Sequence, residues 1–106
     1  MNKLLIEQRD GGYFVLCNGA AFDRQLADVL DDTFVAPLYR SVAVRYVSAM
    51  FKVLKAERVA LGGEGNWWVA EAEVRRDRLT FIDAEGDNPV GALAALIIAT
   101  VLHTCQ

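Results

Sequence analysis

Histidine occurs once in this chain, cysteine twice and proline twice, and each scarcity closes off a class of chemistry. A metal centre needs three or four ligands. His103 with Cys17 and Cys105, far apart and without a Cys-x-x-Cys pair, does not supply them, so no metal is expected. Two lone thiols in a chain of this size read as reduced and intracellular, with a single disulfide between them left open. With prolines only at 37 and 89 there is no proline-rich linker, and there is neither an internal repeat nor a low-complexity tract. The apolar C-terminal run, Pro89 to Leu102, is about 14 residues or ~21 Å as a helix, short of the ~20 residues that span a bilayer. The start, Met1-Asn2-Lys3-Leu4-Leu5-Ile6-Glu7, reaches charge after three apolar residues and does not read as a signal peptide. A soluble, cytoplasmic protein with no membrane insertion is expected.

Catalytic motifs are missing too. There is no Gly-x-Ser-x-Gly, P-loop or Gly-x-Gly-x-x-Gly, so no cofactor is expected. His103 sits at the end of an apolar helix that offers it no catalytic carboxylate or nucleophile, and it suits the negative end of the helix dipole there. Gly62-Gly63-Glu64-Gly65 reads as a flexible hairpin loop. It is a poor phosphate cradle, because a strand follows it and Glu64 would repel phosphate.

What is present is a core. The 106 residues are 54% hydrophobic and 24% charged, enough for one domain and without a disorder signature. The net charge of −3 is mild, but its distribution is uneven. Residues 37–58 hold five basic groups and one acidic, whereas both flanking segments are acidic.

Residues 3–9 and 13–18 alternate around Asp10-Gly11-Gly12, a hairpin signal. Phe22, Leu26, Val29 and Leu30 recur at helical spacing and predict a short helix over about 20–31. A second, amphipathic helix is predicted over 37–57, where Ser41, Arg45, Ser48, Lys52 and Lys55 fall on one polar stripe. A short strand at 58–61 leads into the glycine loop, and residues 66–76 alternate strictly. Leu79 and Phe81 alternate with Arg78, Thr80 and Ile82, and 84–88 reads as a polar loop. The terminal helix follows, with Asp87 or Asn88 as N-cap and Pro89 at its first position. Being apolar on nearly every side, it must be covered by the sheet and a neighbouring helix, or by a second subunit. The order ββααβββα predicts an α+β domain: an antiparallel sheet of about five strands with the long helices packed on one face.

Two surfaces stand out as candidate sites for a protein partner. One is the basic stripe of Arg45, Lys52 and Lys55, with Arg40 beside it, which as a plain helix face would simply be solvated. Nucleic acid is disfavoured as its target, since the chain is acidic overall and no aromatic residues interleave with the stripe. The other is Trp67 with Val69 and Ile82 on the sheet face opposite Trp68, ringed by Glu71, Glu73 and Arg75, an interface composition if that face is uncovered. Glu71 and Glu73 also form a carboxylate pair. With Trp67 as an apolar wall they give a remote third reading, a small hydrolase. Gly91, Ala95 and Ala99, at four-residue spacing, allow close helix approach in a homodimer.

The last forty residues resemble small accessory proteins of phages and prophages, of the phage α-β-α-sandwich type. The resemblance rests on the tryptophan strand Asn66-Trp67-Trp68-Val69-Ala70-Glu71-Ala72, the loop Asp83-Ala84-Glu85-Gly86-Asp87 and the Pro-initiated helix Asn88-Pro89-Val90-Gly91-Ala92-Leu93-Ala94-Ala95-Leu96. It does not extend to the N-terminal hairpin or the basic helix. Such proteins often bind a host component without catalysis. The resemblance therefore implies a non-catalytic module that occludes a bacterial host protein. The alternative from the residues themselves is a structural or regulatory homodimer with no external target.

Overall fold

The structure, a computed structural model, describes residues 2–9, 12–17, 20–22, 40–75 and 78–104. These form β1 (Asn2–Arg9), β2 (Gly12–Cys17), β3 (Ala20–Phe22), α1 (Arg40–Lys52), β4 (Ala56–Glu64), β5 (Trp67–Arg75), β6 (Leu79–Gly86) and α2 (Pro89–Thr104). All neighbouring strands are antiparallel, in the order β3-β2-β1-β4-β5-β6. The fold is α+β as expected, with both helices on one face of the sheet.

That face is chosen by alternation. Leu4 and Ile6 on β1 stand beside Val15 on β2 and Val59 and Leu61 on β4, and the row continues through Ala70, Ala72 and Val74 on β5 to Ile82 on β6. All of these are buried in one cluster with Ala43, Val47, Met50 and Phe51 of α1 and Ala92, Leu93 and Leu96 of α2. The α1 residues recur at steps of four, three and one, one stripe of a helix. α1 lies against β4 and α2, and α2 lies across β6 and β5. Leu93 and Leu96 are fully buried, each worth roughly 1.5–3 kcal/mol relative to exposure. The Tyr13 ring stands 5.5 Å from that of Phe51, closing the core between β2 and α1. Thr100, the one buried polar side chain among the described residues, donates its hydroxyl to the Leu96 carbonyl at 2.7 Å.

Asn88 caps α2. Its Oδ1 accepts from Gly91 N–H at 2.8 Å and its carbonyl accepts from Ala92 N–H at 3.0 Å. Between the two candidates in the sequence, Asn88 thus takes the role.

The structure departs from the sequence expectations at four element boundaries. Ala20–Phe22 is a strand paired with β2 through Cys17↔Ala20 and Val15↔Phe22, where a helix was expected to begin. Asn18-Gly19 is a two-residue hairpin signal, and it outweighs the helical spacing that starts after it. The rest of the expected 20–31 helix, the first residues of the 37–57 helix and the turn residues Asp10 and Gly11 lie outside the described residues.

α1 stops at Lys52 rather than 57. Val53 and Leu54 N–H both donate to the Ala49 carbonyl, and Lys55, at φ 57°, then reverses the chain into β4.

Gly62, Gly63 and Glu64 are strand, not loop. Gly63 pairs with Trp68, and the turn is confined to Gly65 and Asn66. Gly65 has φ 61° and Asn66 does not have positive φ, the pattern of a type II′ hairpin. At the other end of the hairpin pair, β6 runs on to Gly86, through residues expected to be loop.

The described residues cover α2 on one side only, the case for which a second subunit was the alternative. Ile98 and Leu102 are 62% and 61% exposed. No described helix is long and apolar enough to cross a membrane.

Candidate functional site

Both helices occupy the core face of the sheet, so the side chains of opposite parity make up its other, outer face. On β5 these are Trp67, Val69, Glu71, Glu73 and Arg75, as the alternation requires. Strand register places Lys3 of β1 beside Gly62 of β4, Gly62 beside Val69 of β5, and Val69 beside Glu85 of β6. Gly62 has no side chain, so a groove of about 250 Å³ opens over it. Ala60, Gly62 and Gly63 form its floor, and Trp67, Val69, Lys3 and Glu71 its sides. Trp67 is 52% exposed and Trp68, one residue on, is 6% exposed. The two differ because Trp68 packs into the core and donates its indole N–H to the Gly65 carbonyl at 3.1 Å.

Ile82 does not join this surface. It pairs with Ala72 and is buried with the core, on the face of Trp68. Phe81 takes the outer position beside Glu73 and is 59% exposed. Parity explains the correction. Arg75 pairs with Leu79 across a three-residue connection, so odd-numbered residues of β5 face the same way as odd-numbered residues of β6. Counting through the turn, rather than grouping Leu79 with Phe81 by hydrophobicity alone, would have found Phe81.

The charges on this face are sorted. Arg58 bridges Glu7 and Glu73, the second at 3.7 Å, in a row across β1, β4 and β5. Arg9 pairs with Glu7 and lies 4.3 Å from the Phe14 ring centre. Arg75 donates to Glu57 at 3.1 Å. Glu73 is therefore engaged by Arg58, not by Arg75 or Arg78 across its own hairpin. Glu71, Asp83 and Glu85 stand beyond this row with no ion pair among the described residues. Glu71 and Asp83 face each other directly across β5 and β6.

The basic stripe lies on the other side of the molecule. Arg45 and Lys52 are exposed on α1, seven residues and ~10 Å apart. Lys55 follows the helix end and is exposed at its positive φ. Arg40 opens α1, and its side chain lies outside the described residues. The stripe is not continuous: Ser48, between Arg45 and Lys52, is partly buried and accepts a long, 3.5 Å hydrogen bond from Tyr13. Among the described residues none of Arg45, Lys52 and Lys55 is ion-paired. Because α1 packs on the core face, this surface and Trp67 cannot meet one flat partner together.

Gly91, Ala95 and Ala99 are all partly buried, and Ala99 packs against the core. The exposed side of α2 instead brings Gly91 and Ala95 into line with Ile98 and Leu102, at steps of four, three and four. No group of three or more potential metal ligands occurs among the described residues. Compared with family models, curated proteins and solved structures, the chain finds no match.

Proposed function

We propose that this chain is a small non-catalytic protein-interaction module. On this reading it docks through the outer face of its sheet, and it serves as the phage or prophage accessory proteins it resembles do, occluding a bacterial host protein in the cytoplasm. The observation that carries the reading is the half-exposed Trp67 beside the groove over Gly62. Tryptophan is enriched among residues that dominate binding energy, and such anchors sit with apolar neighbours inside a polar rim. Here Val69 is the neighbour and Glu71, Glu85 and Lys3 form the rim. Strand backbone holds the anchor in place, so little ordering entropy is lost on docking.

The test is capture of partners from a bacterial lysate by the wild-type chain, by Trp67→Ala and by a triple variant with Arg45, Lys52 and Lys55 changed to Glu. Trp67→Ala should lose the partner and the triple variant should keep it. Loss in the triple variant alone would move the docking surface to α1, and retention by both would remove both surfaces.

A homodimer is the second reading, favoured by exposed Ile98 and Leu102 in line with Gly91 and Ala95. Light scattering at micromolar concentration would then show twice the 11.7 kDa chain mass, and Ile98→Glu would restore the single mass.

A further inference from the structure

The groove beside Trp67 has a size and a charge pattern that narrow its occupant, on the reading that the outer face is the docking surface. Its volume of about 250 Å³ falls below the ~300–1,000 Å³ that small-molecule ligands fill, and suits one long side chain. Its walls, Trp67 and Val69, are apolar; Lys3 closes the β1 side of the groove, and Glu71 stands at the rim on β5. Register adds three more carboxylates around it: Glu64 beside Trp67, Glu85 beside Val69 and Asp83 beside Glu71. Among the described residues none of these four is ion-paired, whereas Arg9, Arg58 and Arg75 of the same face are taken by Glu7, Glu73 and Glu57. Glu71 and Asp83, directly opposite, repel each other in the free chain, and a cation placed over them would remove that cost. An indole face next to carboxylates holds a planar cation better than a spherical one. A guanidinium stacks on the ring and offers paired donors to a carboxylate, while an ammonium gains the charge attraction without the stack.

We infer that the groove receives the side chain of an arginine presented by an exposed segment of the partner protein. The guanidinium lies on Trp67 and faces Glu71, with Asp83 and Glu85 behind it. The experiment uses the full chain, nitrogen-15 labelled, and the probe acetyl-Gly-Arg-Gly-amide, with its citrulline and lysine analogues. The Trp67 indole N–H resonance should move saturably with the arginine probe, with Kd on the order of millimolar, while that of buried Trp68 stays. Citrulline should leave both in place, and lysine should bind at least about threefold more weakly. Glu71→Gln should weaken the arginine probe roughly two- to fivefold, the range of one exposed ion pair; Asp83→Asn is the second variant should the first disturb the spectrum as a whole. A silent Trp67, or an equal response to citrulline, overturns the proposal. Equal binding of lysine overturns the guanidinium assignment. If Trp67→Ala loses a lysate partner and the arginine probe is silent, the docking surface stands and its occupant is wrong; if neither responds, both readings fall.

Discussion

Trp68 lies over Gly63. The two are partners across the β4–β5 hairpin, and a Cβ placed on Gly63 would stand 2.7 Å from the indole ring and 2.4 Å from the Trp67 carbonyl oxygen. The missing side chain is what lets the ring lie down and its N–H reach the Gly65 carbonyl. Gly63→Ala should therefore destabilise the fold by roughly 1–3 kcal/mol through overpacking against backbone that cannot move aside. Urea unfolding would check it, and a midpoint equal to wild type would show that the hairpin has room.

The neighbouring tryptophans should behave oppositely. Trp68→Ala empties a core position and should cost roughly 3–5 kcal/mol, whereas Trp67→Ala should stay within about 1 kcal/mol of wild type. Acrylamide should quench the fluorescence of Trp68→Phe, which keeps Trp67, far more than that of Trp67→Phe. Equal quenching would mean that Trp67 is covered.

Asn88 holds the first turn of α2 through its bond to Gly91 N–H. Asn88→Ala should cost about 1 kcal/mol, and Asn88→Asp should keep the acceptor and gain slightly from the helix dipole. Thermal melts of the two variants separate capping from any other role of the residue. Should Asn88→Ala melt with wild type, the cap contributes nothing.

Lys55 carries φ 57° without being glycine, a conformation that costs an L-residue roughly 1–2 kcal/mol. Lys55→Gly removes that strain at some cost in unfolded-state entropy, so a net gain of up to about 1 kcal/mol is expected. A loss of stability on the same denaturant curve would mean that the lysine side chain contributes to holding the reversal between α1 and β4.

The fold class, the strand faces of β1 and β5 and the start of α2 were legible because alternation and capping are local signals. Ile82 was misplaced because its face depends on the length of the connection between Arg75 and Leu79, which hydrophobicity does not encode. Gly62 and Gly63 resembled a loop because glycine permits one. Only the packing of Trp68 shows why a strand needs Gly63 bare. The exposure of Trp67 follows from alternation, but the groove beside it does not, since it requires Lys3, Gly62 and Val69 to come side by side from three strands. The stripe from Arg45 to Lys55 was drawn on a longer helix than α1 proves to be, because the β-branched and aromatic residues before Lys52 carry a periodicity that Lys55 interrupts.

The strand order has a consequence for how the chain assembles. Each of β1-β2-β3 and β4-β5-β6 is a run of sequence neighbours, and only β1 with β4 joins distant parts of the chain. Hairpins close over a few residues, whereas the β1–β4 join closes a long loop before its contacts can repay the lost entropy. Ile6 and Val59 face each other across that join. Ile6→Val and Val59→Ala should slow refolding in stopped-flow experiments and leave unfolding nearly unchanged; faster unfolding alone would place the barrier within one of the hairpins. The rate of folding is then set where the two three-strand ribbons meet, far from the surface proposed for binding. That surface is built within β4, β5 and β6 but for Lys3, and its variants should leave folding kinetics untouched.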